Sequence, residues 1–193
     1  MFDNEEQLRK WIKENFPYKE KSEEEIKKEF IEEFGIDKYN QMEAEVRLDK
    51  LNIRLCDYLG IEPVPIIFED IKEDARYYDK DDYIAINKKF MFDEIESIKC
   101  LIHEVRHCYQ KYTISHKKDK LIFAPIVLVN EWEKEFKQNQ LMLSPSNRMC
   151  LAIEIDAYAF TKYILKKWFY FEYHHLDKTY DEILDLYISK YYK

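Results

Sequence analysis

Glycine is nearly missing from this chain, with two in 193 residues, and there are only five prolines. A β-sandwich or barrel needs turn residues at short, regular intervals. Their scarcity, with the abundance of Lys, Glu, Leu and Ile, points to a mostly helical protein. Cysteine is also sparse: Cys56, Cys100, Cys108 and Cys150 are scattered and form no Cys-x-x-Cys pair. They read as small core residues rather than ligands, and a reduced cytoplasm is the expected setting. No apolar run after Met1 reads as a secretory signal or a membrane span. Clustered positive charge is lacking as well. The formal net charge is −8, and residues 1–62 hold 11 basic against 17 acidic side chains, so −6 of it lies there. Phosphate recognition depends on clustered Lys and Arg, so nucleic acid and anionic membrane are excluded as main partners. The acidic third reads as a solvated helical face.

The chain is rich in apolar and ring side chains, 46% hydrophobic and 16% aromatic, which excludes a disordered chain. Its length suits one domain carrying a helical extension. The expected organisation is a helical region over 1–62 packed on a domain over 63–193. Helices are expected from Glu5 to Phe16, from Ser22 to Phe34 and from about Tyr39 to Leu59. Ser22 with Glu25 makes a capping box, and Gly35 and Gly60 stand where left-handed C-caps are wanted. Past Gly60 the texture changes. Pro63-Val64-Pro65-Ile66-Ile67-Phe68-Glu69 reads as an edge or entry strand, and Asp82 to Asn87, after the turn-prone Asp79 to Asp82, as a second. Together they predict a small antiparallel sheet. A helix should then start at Asp93, which with Glu96 makes another capping box, and run to Tyr112. Thr113 to Ala124, including His116, reads as a loop, and Ile126 to Gln138 as a helix, with Ile126-Val127-Leu128-Val129 open to the alternative of a strand. Ser144-Pro145 opens a long helix ending near Tyr173, and Tyr180 to Tyr191 forms the last. The fold class is α+β, predominantly helical.

The helix from Asp93 contains Ile102-His103-Glu104-Val105-Arg106-His107, a His-Glu-x-x-His pattern. At 100° per residue the two imidazoles lie 40° apart, about opposite the apolar stripe of Leu101, Ile102, Val105, Cys108 and Tyr109. Each residue type has a distinct job in metal-assisted hydrolysis. Two neutral imidazoles hold the ion, and an adjacent carboxylate that does not bind it takes a proton from water. A third protein ligand must come from elsewhere in the chain. The long helix offers Glu154 and Asp156, which flank its apolar stripe about 160° apart, so a regular helix cannot aim both at one ion.

Across residues 63–168 this arrangement resembles the gluzincin metallopeptidases, above all the compact ImmA/IrrE-like group and more remotely the HtpX-type peptidases. The shared pattern is strand, strand, His-Glu-x-x-His helix, loop, and a helix with Glu-x-x-Ala. The resemblance implies a zincin-like domain with one Zn²⁺ per chain held by His103, His107 and Glu154, with Ala157 three positions on. It implies Glu104 as general base, and a strand at Tyr83 to Asn87 lying as an edge beside the cleft and pairing with extended substrate. Tyr158 departs from the pattern, since relatives carry Asp or Asn there. Asp156 or Gln110 is left to orient a ligand in its place, and Asp156 remains the alternative third ligand. His116, Tyr158 and His174 are the candidates for a transition-state donor. The implied function is a cytoplasmic zinc peptidase acting on a protein or peptide, a regulator among the candidates. Two alternatives stay open: a noncatalytic protein-binding or regulatory module on the same shell, and a toxin or phage-type effector using the same site.

Overall fold

The computed structural model describes residues 23–34, 36–118, 124–137 and 149–192. The expected helix from Glu5 to Phe16, the Ser22 cap, the Gly35 C-cap, the Ser144-Pro145 helix start and the loop residues 119–123 lie outside them. Two compact units divide the chain at Glu43/Ala44. In the first, helix α1 (Glu23–Phe34) carries the exposed i,i+4 pair Lys28–Glu32 at 3.8 Å. The second begins at Ala44, inside helix α2 (Ile36–Leu59). This division falls earlier in the chain than 62/63, and Leu48, Leu55 and Cys56 of α2 belong to the main core of the second unit. α2 ends at Gly60, whose φ of +69° is the left-handed cap read from sequence, and an added Cβ there would meet nothing within 4 Å. Glycine is used for its backbone freedom, not for space.

Three strands follow: β1 (Ile66–Glu69), β2 (Ala75–Tyr78) and β3 (Tyr83–Asn87). Their order is β1-β3-β2; β3 pairs in parallel with β1 and antiparallel with β2. This corrects the sequence reading in two ways. The sheet is mixed, because the connection after β1 turns back through the unforeseen β2 and so brings β3 alongside β1 in the same direction. And β3 is central, with Ile84, Ala85 and Ile86 fully buried, so the edge strand beside the cleft is β2.

Helix α3 (Glu94–Ser115) starts where Asp93 accepts the Glu96 N–H at 3.1 Å, the half of the capping box that forms, and it runs one turn past the expected end. Helix α4 (Ile126–Lys137) buries Leu128, Val129 and Trp132. Helix α5 spans Ala152–Phe169, and helix α6 (Lys178–Tyr191) is capped by Asp177, which accepts from Thr179 N and Tyr180 N. α3 packs on α5, where fully buried Ala157 presents only a methyl group, and α3 also packs on β2 and β3. The core between these layers holds Ile84, Ile86, Leu101, Ile102, Val105, Phe160 and Ile164. Of the aromatic run after Ile164, Trp168 lies against Arg54 and Tyr58 of α2, whereas Tyr170 is 92% exposed. Among the described residues, no helix is long and apolar enough to cross a membrane.

Candidate metal centre

Helical periodicity sets His103 and His107 one turn apart on α3, facing a cleft of about 640 Å³ between the β2 edge, α3 and α5. Their rings stand nearly perpendicular, and the two Nε2 atoms are 3.1 Å apart. Glu154 reaches them from the first turn of α5, with Oε2 at 3.2 Å from His103 Nε2 and 3.7 Å from His107 Nε2. That first turn is held from outside. Leu151, at the N-cap, supplies no side-chain cap, and the Glu135 carboxylate of α4 accepts the N–H groups of Ala152 at 3.1 Å and Ile153 at 3.0 Å. A helix start otherwise short of partners is thereby satisfied in trans.

His103, His107 and Glu154 form a group of metal-ligating type. Donors held about 2.0–2.2 Å from a tetrahedral ion stand roughly 3.3–3.6 Å from one another. The three observed separations bracket that spacing, and two imidazoles with a carboxylate are a donor set that suits zinc. The local electrostatics also call for positive charge. Burial works against a charged His107, but the Glu154 carboxylate, with Glu104 and the Gln110 hydrogen bond, outweighs it and lifts His107 to about 9. Burial likewise opposes ionisation of Glu154, and the two imidazoles overcome it and hold the carboxyl well below its usual range. A cation in this corner would meet the same demand.

Glu104 lines the cleft but is not in the three-donor group. It is 7% exposed, and its Oε2 accepts the Tyr77 N–H of β2 at 2.7 Å. Asp156 points away, as the 160° separation on the helix requires. Its carboxylate takes Arg106 Nε at 2.7 Å and Arg106 Nη2 at 3.0 Å, and it also accepts from Gln110 Nε2 and Tyr192 Oη. It is therefore not the third member of the cluster. Arg106 itself lies among the rings of Tyr109, Trp132, Phe160 and Tyr192.

Of the donor candidates, Tyr158 is at the site, its ring centroid 4.5 Å from that of His103. Burial, reinforced by Glu154, pushes its phenol upward, so it keeps its proton. His116 is exposed, stacked on Tyr112 and bonded to the Tyr112 carbonyl, and it is not among the cleft-lining residues. His174 is exposed and paired with Asp181, while His175, its neighbour, lines the cleft. Cys100 also lines it, but burial, followed by the nearby Glu104, pushes that thiol up to about 12. At neutral pH it offers a thiol, a poor ligand.

Three contributors escaped the sequence reading. Arg106 could have been noticed, because it falls four residues after Ile102 and three before Tyr109, a charge on the apolar stripe that needs a buried partner. Tyr77 sits in the strand hidden within a charged stretch, and nothing local marks Glu135 as the cap of a helix beginning 17 residues later. No family model, curated protein or solved structure matches this chain.

Proposed function

We propose that the chain is a zinc-dependent peptidase with a zincin-like catalytic unit, in which His103, His107 and Glu154 hold the ion and Glu104 is the general base. The observation that carries the reading is the convergence of two Nε2 atoms and one carboxylate oxygen, separated by 3.1, 3.2 and 3.7 Å, on the wall of a cleft. When bound, zinc supplies a Lewis acid that polarises a carbonyl and lowers the proton affinity of water. Glu104 accepts a proton at its carboxylate and returns it to the departing amine. Its hold on the Tyr77 N–H keeps that carboxylate on the floor of the cleft beside the imidazoles. Tyr158, with its proton retained, donates a hydrogen bond toward negative charge developing on the substrate carbonyl.

The substrate is a protein or peptide. Neither nucleic acid nor membrane is proposed as a partner, in keeping with the net charge of −8. Free Cys56, Cys100, Cys108 and Cys150 fit a reducing, cytoplasmic setting. The test is Glu104→Gln, assayed on a quenched-fluorescence peptide library and by metal analysis. Loss of a positioned base costs about 10²–10⁴ in rate, so hydrolysis should fall by at least about 100-fold while one zinc per chain is kept. Equal rates for wild type and variant would refute the reading, as would a zinc-loaded wild type that cleaves nothing in the library.

A further inference from the structure

Gln110 is fully buried behind His107 on α3. Its side-chain nitrogen donates twice, to the Ile153 carbonyl at 2.9 Å and to Asp156 Oδ2 at 2.7 Å, and its oxygen faces His107 Nδ1 at 2.8 Å. Turning the amide over would set its oxygen against a carbonyl and a carboxylate, which can only accept. A single orientation satisfies every contact. Gln110 Oε1 is therefore an acceptor and His107 Nδ1 must carry hydrogen. In the neutral ring the lone pair then falls on Nε2, the nitrogen that faces His103 and Glu154. Asp156 in turn is fixed by Arg106 through two bonds and by Tyr192 Oη at 2.6 Å. A chain of contacts thus runs from the partly buried Tyr192, just past α6, through buried Asp156 and Gln110 to one imidazole of the cluster.

We propose that Gln110 is a positioning residue that sets which nitrogen of His107 faces the cleft, with the Arg106–Asp156 pair as its anchor. This rests on the zinc reading above. A glutamine that only filled space would be replaceable by methionine, which has similar length and no hydrogen-bonding amide. A glutamine acting through His107 would not be, because outer partners of metal-bound imidazoles are worth about 10–100-fold in metal affinity.

The experiment uses the full chain loaded with zinc, competed against a chromophoric chelator, and followed by nitrogen NMR of the histidine side chains. Wild type should bind one zinc with His107 Nε2 on the metal side and a hydrogen-bonded proton on Nδ1. Gln110→Met should bind about 10–100-fold more weakly and lose the protection of that proton. Affinity within twofold of wild type in a folded Gln110→Met protein would overturn the role of Gln110, and so would a wild type that binds zinc through Nδ1. The wild-type spectrum decides the matter even where the variant does not fold. A wild type that binds no zinc at all sinks the metal reading itself, an outcome distinct from the other two.

Discussion

Exchanging Asp156 and Glu154 separately for alanine separates a structural carboxylate from the one proposed to hold the metal. The Arg106 and Asp156 side chains are 9% and 1% exposed, joined by two bonds of 2.7 and 3.0 Å. Asp156→Ala leaves a guanidinium enclosed by aromatic rings with no counter-charge, a loss of about 3–5 kcal/mol for a buried pair broken on one side. At about 2–4 °C per kcal/mol for a chain of this size, melting should drop by roughly 6–20 °C. Glu154 lies on the cleft wall, 17% exposed, where water can replace it. In chelator-treated protein Glu154→Ala should lower the melting temperature by less than half as much. Metal uptake should run the other way. Asp156→Ala still takes one zinc at saturation, with affinity weakened through Gln110, and Glu154→Ala loses stoichiometric binding. Calorimetry on chelated samples and metal analysis on dialysed ones read both quantities. Asp156→Ala with wild-type melting and no zinc, beside a Glu154→Ala protein that keeps zinc, would refute the assignment.

Glu135→Ala removes the acceptor for the first N–H groups of α5 and should cost about 0.5–2 kcal/mol in urea unfolding, the range for a lost helix cap. Zinc affinity should weaken with it, because Glu154 stands on that turn; unchanged affinity would show that α5 is positioned without the cap. Asp181 provides a pH test away from the cleft. Burial opposes its charge, but Lys162 at 2.7 Å, the His175 N–H and His174 outweigh it and hold the carboxyl below its ordinary value of 3.8. Its stabilisation is therefore fully present above 3.8 and is lost as pH falls through the lower folded value. The melting temperatures of wild type and Asp181→Asn should differ most above about pH 5, and the gap should narrow steadily as pH falls below 3.8. A gap independent of pH would contradict this.

Most helices were legible because their signals are local: Asp93 caps α3, Gly60 closes α2, and the 3.6-residue period separates His103 and His107 from the apolar stripe. The helical wheel limits the candidates to one of Glu154 and Asp156, and the Glu-x-x-Ala resemblance favours Glu154. What stayed hidden depends on partners distant in the chain. β2 is a four-residue strand of Ala, Arg and two Tyr between acidic turns, and only its pairing with β3 makes it a strand. That pairing also decides that β1 and β3 run parallel. The start of α5 depends on a carboxylate of α4, and Arg106 meets its counter-ion 50 residues away. The sequence reads as a loop at His116, but α3 continues through Ser115 and carries it out to solvent.

Zinc-edge X-ray absorption on the metal-loaded wild type tests the central claim most directly. The expected spectrum has four nitrogen or oxygen scatterers at about 2.0–2.2 Å, with the outer-shell pattern of two imidazoles. A sulfur scatterer at about 2.3 Å would bring in a cysteine such as Cys100 and contradict a site built from His103, His107 and Glu154, as would a shell without imidazole.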